Sequence, residues 1–215
     1  MAVQSKLLEI GILVSSLAVG FLAFYLLSDR PKAEKKKQMD DMISQIINFI
    51  LLIWLGKIIM NVSLFLSDPL AVLAYPSDTD AFYTAVIFMP IWLLVQSRRK
   101  QLKIFPLIVS FIPVFLVSSF VYEFIEWTAY DNPFAIGNLI LFAVLIGLYF
   151  FLKEKLNASV LLFILITVWS FGLVFMMTFQ PFITVFGYIV GFEFVGLFFI
   201  ISNGILIYRF RKKPV

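Results

Sequence analysis

The run "LLIWLGKIIMNVSLFL", residues 51–66, is strongly apolar but carries one charged residue, Lys57. About 20 apolar residues cross the roughly 30 Å hydrocarbon core of a bilayer as an α-helix. A charged side chain inside such a helix costs about 3 kcal/mol on insertion scales. Lys57 therefore predicts one of three arrangements: an ion pair, a polar pocket, or a side chain that snorkels to the membrane surface.

The composition places the whole chain in the membrane class. Of its 215 residues, 62% are hydrophobic and only 14% are charged, whereas soluble domains carry about a quarter charged residues. We expect a single integral-membrane domain over residues 1–215. The chain has no cysteine and no histidine, which excludes thiol and imidazole chemistry and predicts neither a metal site nor a cofactor.

The apolar runs predict an all-α fold, a polytopic membrane bundle of seven transmembrane helices. Pro90 and Pro113 fall inside the third and fourth predicted helices, where proline favours a kink. The predicted spans are residues 7–27, 43–66, 81–97, 104–126, 134–152, 157–178 and 182–208.

The basic residues predict the direction of the spans. All 17 Lys and Arg residues except Lys6 and Lys57 follow the first, third, fifth or seventh span, and the intervening loops have none. The positive-inside rule then predicts an outer N-terminus and a cytoplasmic C-terminus. We assign the net charge of +4 to topology and to anionic lipid head groups, and we expect no nucleic-acid partner.

Five polar residues within or beside the predicted spans form a candidate polar pocket or lipid head-group site. Lys57 is predicted about 21 Å from the cytoplasmic end of its helix, and Glu193 close to the bilayer midplane. An ion pair of Lys57 with either Glu193 or Glu123 would offset the free-energy cost of burying its charge. The alternatives are a lipid phosphate at Lys57 and simple snorkelling. The candidates are Lys57, Asn61, Glu123, Glu126 and Glu193.

Other polar and small residues predict packing. Asn138 and Asn203 are expected to form hydrogen bonds between helices, and "GYIVG", residues 187–191, has a spacing that lets helices approach closely. Tyr75, Trp127 and Tyr130 fall where an outer aromatic belt is expected.

The order of charges and loops resembles that of prolipoprotein diacylglyceryl transferase, a seven-span bacterial membrane enzyme. Gly56 and Lys57 stand where the family has Gly and Arg, and "EFIE", residues 123–126, stands where it has Asn-Phe-Ile-Asn. "DAFYTAVIFMPIWLLVQSRRK" and "NPFAIGNLILFAVLIGLYFFLKEK" resemble its third span and its Pro-x-Gln-Leu-Tyr-Glu helix. The resemblance implies a bacterial plasma-membrane location, phosphatidylglycerol as the lipid, and a lipoprotein precursor or another membrane protein as partner.

The chain departs from the family at the residues that carry its chemistry. Tyr83 stands at the histidine position, and Thr84 and Ala85 replace the two glycines that follow. Ser119 or Phe120, depending on the register, replaces the signature arginine. The Tyr-Glu after the proline becomes Gly137-Asn138, and "SFGLVFMMTFQ", residues 170–180, lacks the family's arginine.

Three functions stay open on the sequence. The first is a non-catalytic relative of this family that binds a lipid or a membrane protein. The second is an active phospholipid-dependent transferase in which Lys57 holds the phosphate and Glu123 or Glu126 acts as base. The third is a small transporter or channel built on Lys57 and Glu193. Whether the protein is an enzyme is left open, and no residue is assigned as catalytic beyond these candidates.

Overall fold

The computed structural model describes residues 2–74 and 79–212, and within these the chain is mainly helical. Tyr75, named above for the aromatic belt, lies outside the described residues. In chain order the elements are α1 (Ala2–Leu27), α2 (Lys32–Met60), α3 (Val62–Ser67), α4 (Pro69–Ala74), α5 (Thr79–Lys100), α6 (Ile104–Ala129), α7 (Ala135–Leu152), α8 (Ala158–Met176), β1 (Ile183–Val185), β2 (Tyr188–Val190) and α9 (Phe192–Lys212).

Seven of the described helices are long and apolar enough to cross a membrane, which confirms the predicted number of spans. They are α1, α2, α5, α6, α7, α8 and α9. This architecture is that of a multi-pass membrane protein. Pro90 and Pro113 lie inside α5 and α6, which continue through them.

The chain divides into two compact units. One unit contains the residues up to Ser28 and those from Val109 onward, and the other contains Asp29–Ile108. In the second unit, α2 packs along α5. In the first unit, α7 packs on α8 and α8 on α9, around a core that contains Leu116, Phe142, Leu145, Leu161 and Leu165.

The second predicted span differs from the structure at its end. The expected helix ran from residue 43 to 66, but α2 ends at Met60 and α3 begins at Val62. Asn61 has φ −126° and ψ 40°, and its Nδ2 donates to the Lys57 carbonyl over 3.0 Å. Asparagine side chains compete in this way with the helical hydrogen bonds, which explains the break at this residue.

The seventh predicted span differs more. A continuous helix was expected over 182–208, but residues 183–190 form an antiparallel β-hairpin and α9 begins only at Phe192. The turn residues Phe186 and Gly187 have φ of 49° and 83°. Positive φ at both central residues is the type I′ hairpin geometry, which matches the twist of two antiparallel strands. "GYIVG" therefore belongs to a strand and its turn, and the prediction that it mediates helix packing is wrong.

Candidate functional site

Lys57 lies in the last turn of α2 and is only 5% exposed. The preceding Gly56 allows α5 to approach closely, because a Cβ there would lie 2.9 Å from the Ala81 carbonyl oxygen. A cation in the last helical turn also interacts favourably with the helix dipole. The structure thus places a buried cation at the end of a candidate membrane span.

Asn61 contributes to the helix end at Lys57. Its backbone N–H and its side-chain amide both donate to the Lys57 carbonyl, over 3.1 and 3.0 Å. These bonds satisfy a carbonyl that would otherwise lack a partner at the helix end. Asn61 is therefore a capping residue of α2.

Glu123 and Asn138 form a buried polar pair in the other unit. Glu123 on α6 is 3% exposed and Asn138 on α7 is 2% exposed. Asn138 Nδ2 donates to Glu123 Oε1 over 3.1 Å and to the Thr184 carbonyl of β1 over 3.2 Å. One amide therefore connects two helices to the hairpin, and the predicted interhelical hydrogen bond of Asn138 is confirmed.

Glu126 lies three residues after Glu123, in the last turn of α6. Its Oε2 accepts a hydrogen bond from Asn132 Nδ2 over 3.3 Å, and its carbonyl accepts from the Asn132 backbone N–H over 3.1 Å. Asn132 Oδ1 in turn accepts from the Phe134 N–H over 3.1 Å. Glu126 therefore belongs to the network that shapes this loop.

The hairpin reaches into its unit. The ring of Phe186 lies 5.5 Å from that of Tyr122 and 6.0 Å from that of Phe115. Phe115 also contacts Phe142 of α7 and Trp169 of α8. At a rise of about 1.5 Å per residue, Phe142 and Trp169 lie roughly 10 Å inside the ends of their helices. The hairpin lies between α8 and α9 in the chain. Its turn therefore sits among the helices of this unit, about 10 Å inside the ends of α7 and α8.

Glu193 lies in the first turn of α9, and its side chain is exposed. Its predicted depth assumed eleven helical residues before it, which the hairpin replaces. An acid in the first turn of a helix is favourable without any further partner, because it faces the positive end of the helix dipole. The structure adds no support to Glu193 as a buried acid.

Several buried polar atoms in this unit have no hydrogen-bond partner within the described part of the chain. Two of them concern Glu123. Ser119 Oγ belongs to the residue four positions before Glu123, and Asn138 Oδ1 belongs to the residue that donates to Glu123. Within residues 2–74 and 79–212, Asn203 has no hydrogen-bond partner at either side-chain atom, so the prediction that it bonds between helices is wrong. The others are Ser16 Oγ, Ser118 Oγ, Thr167 Oγ1, Trp169 Nε1, Ser170 Oγ and Gln180 Oε1.

The predicted site residues are divided between the two compact units, and each group is described within its own unit. Lys57 and Asn61 lie together at the end of α2, and Glu123 lies beside Asn138 and the hairpin. The pairing of Lys57 with a glutamate stays a prediction. The hairpin and Thr184 were missed by the sequence reasoning. The hairpin could have been detected from residues 183–190, which are rich in the β-branched and aromatic side chains that favour strands.

No family model, no curated protein and no solved structure matches the chain.

Proposed function

We propose that this protein is a non-catalytic membrane protein, related to the prolipoprotein diacylglyceryl transferases, that binds a phospholipid or another membrane protein. The observation behind the proposal is that the Glu123 carboxyl group is buried and accepts a hydrogen bond from Asn138. The carboxyl best placed in the sequence to act as a base is 3% exposed and bonded to Asn138, which also holds the hairpin. A general base must instead reach the proton of its substrate.

The residues at the family's other chemical positions support the same conclusion. Tyr83 replaces the histidine, and Ser119 or Phe120 replaces the signature arginine. Neither the tyrosine phenol nor the serine hydroxyl carries the fixed positive charge of arginine or the imidazole base of histidine. The acceptor activation and phosphate clamping of a transferase would therefore lack their usual groups.

Lys57 supports the binding of an anionic lipid head group. It keeps the positive charge of the family's arginine, and it is buried at the end of a candidate span. Intramembrane charges of this kind mark binding sites or ion pairs. Because lysine is a point charge and not a two-pronged donor, we expect recognition of charge with little selection among head groups.

The absence of transfer is tested in a bacterial strain that lacks its own diacylglyceryl transferase. We expect the protein to insert into the membrane and to leave a reporter lipoprotein unmodified, as judged by mass spectrometry of the reporter. Robust diacylglyceryl transfer that is lost in both Lys57→Ala and Glu123→Ala would instead establish the active enzyme.

Lipid binding is tested by native mass spectrometry of the purified protein, with phosphatidylglycerol added to detergent micelles. We expect Lys57→Ala to lower the fraction of lipid-bound protein and Lys57→Arg to preserve it. The control is Lys155→Ala, which removes a basic residue from the loop after α7, where its amine lies 3.5 Å from the Phe151 ring centroid. Equal lipid occupancy in the wild type and Lys57→Ala would exclude Lys57 as the head-group site.

A further inference from the structure

The chain after α2 continues as two short helices, α3 and α4, where the sequence predicted the end of a span and a loop. Each helix has six residues, about 9 Å of helix, which is far too short to cross a bilayer. Within their unit, α3 packs on α4 and both pack on α2, and Val72 of α4 is buried. The two helices therefore form a compact pair, the α3–α4 pair, attached to the end of α2.

The α3–α4 pair lies where α2 has already crossed the bilayer. The apolar part of α2 runs from Met42 to Met60, which at about 1.5 Å per residue is roughly 28 Å of helix. This length covers the hydrocarbon core, which is about 30 Å thick. Because α3 begins at Val62, the pair lies at the level where the lipid head groups begin.

The tip of the α3–α4 pair exposes leucine side chains. Leu66 and Leu70 lie on either side of Asp68 and are 79% and 77% exposed, the highest values among the large apolar side chains of the described residues. Val62 lies one turn before Leu66 on the same face of α3 and is also exposed. Removing such apolar surface from water is favourable, and the bilayer that α2 spans is the nearest apolar medium.

The polar groups at the tip form hydrogen bonds within the pair. Ser67 Oγ donates to the Leu64 carbonyl over 3.0 Å, and the Asp68 N–H donates to the same carbonyl over 2.7 Å. Asp68 Oδ1 accepts from the Ala71 N–H over 3.0 Å. Pro69 has no N–H to satisfy. A tip whose donors and acceptors are occupied in this way fits a medium that offers few hydrogen bonds.

The charge of the segment limits how deep it enters the bilayer. Residues 61–74 contain no lysine or arginine, and Asp68 is their only charged residue. Attraction to anionic lipids therefore does not hold the pair, and the Asp68 carboxylate keeps the tip close to water, because a charge deeper in the bilayer costs free energy.

We propose that the α3–α4 pair is inserted into one lipid leaflet, at the boundary between head groups and acyl chains, with Leu66 and Leu70 as its membrane anchors. The inserted pair holds the last turn of α2, which carries Lys57, close below this boundary. That depth matches the head-group site proposed for Lys57, but insertion of the pair does not depend on lipid binding there.

The test uses spin labels on single cysteines, because the chain has no cysteine of its own. Labelled Leu66→Cys and Leu70→Cys are reconstituted into phosphatidylcholine–phosphatidylglycerol vesicles. EPR power saturation then compares collisions with oxygen, which concentrates in lipid, and with a nickel chelate, which stays in water. We expect both labels to collide more with oxygen than with nickel, at a depth of about 5–10 Å below the phosphates.

Two control positions calibrate the measurement. Glu154→Cys, at an exposed position in the loop after α7, is the control for water. Leu51→Cys, at an exposed position within α2, is the control for lipid. Val62→Cys supplies a third position on the pair should a leucine variant fail to fold, and the same result is expected there.

Two outcomes would overturn the proposal. Nickel collisions as frequent as those of Glu154→Cys would place the tip in water. Low accessibility to both reagents would show that protein, such as a second copy of the chain, covers the leucines. Failure of the lipid site at Lys57 is recognised separately, since Lys57→Ala should leave the depth of both leucine labels unchanged.

Discussion

Asn138 and Glu123 are joined by a 3.1 Å hydrogen bond between consecutive helices, and both side chains are almost completely buried. The same amide nitrogen donates to Thr184, so one residue positions α6, α7 and the hairpin. In a medium without water, the loss of such a donor leaves two acceptors unsatisfied. The stability of the protein should therefore depend strongly on the Asn138 side chain.

We expect Asn138→Leu to lower the free energy of unfolding by about 2–4 kcal/mol, from two buried acceptors that lose their donor. The measurement is reversible unfolding in mixed micelles. Asn203→Leu is a matched control, because Asn203 is 5% exposed and neither of its side-chain atoms has a partner in the described residues. Replacing it should be neutral or stabilising. Equal losses in the two variants would contradict the role assigned to Asn138.

The contact between α1 and α6 gives a second prediction. A Cβ on Gly20 would overlap Ser118 Oγ and lie 2.6 Å from the Val114 carbonyl oxygen, which belongs to the backbone and cannot move aside. We expect Gly20→Ala to destabilise the protein by about 1–3 kcal/mol through overpacking. Gly11→Ala lies on the same helix with nothing within 4 Å of its Cβ, and it should leave the unfolding midpoint unchanged or slightly higher. A neutral Gly20→Ala would show that α1 does not pack there.

The hairpin turn gives a third prediction. Gly187 has φ +83°, which an L-residue with a Cβ adopts only at a cost of about 1–2 kcal/mol. We expect Gly187→Ala to lower the unfolding free energy by that amount. Gly196→Ala, inside α9 with open space around its Cβ, is the control. It should be neutral or stabilising, because alanine favours a helix. Comparable stability of the two variants would argue against the hairpin.

Much of the helical architecture could be predicted from the sequence because hydrophobic length is a physical requirement for crossing a bilayer. Each of the seven spans in the structure overlaps one predicted from an apolar run. The hairpin could not be distinguished from a helix in this way, since residues 183–190 are as apolar as a span. A short apolar run cannot be assigned to a strand or to a buried helix from its periodicity alone.

The candidate site was predictable only in part. Lys57 and Glu123 stood out because charges are rare in apolar helices, and both are buried. Asn61 was associated with Lys57 by spacing, but its action is the capping of the helix end through the Lys57 carbonyl. The link from Asn138 to Thr184 joins residues 46 apart in the chain. Such a contact depends on tertiary packing, which no local pattern encodes.

The direction of the spans gives the last prediction, which rests on the distribution of Lys and Arg. The chain has no cysteine, so single-cysteine variants report accessibility without background. In intact cells we expect a membrane-impermeant maleimide to label Tyr130→Cys, in the exposed loop after α6. Lys36→Cys and Glu154→Cys, both at exposed positions, should react only after the cells are opened. Labelling of the latter two in intact cells, with Tyr130→Cys protected, would reverse the orientation. It would also place the end of the bundle that contains the hairpin and Glu123 on the cytoplasmic side.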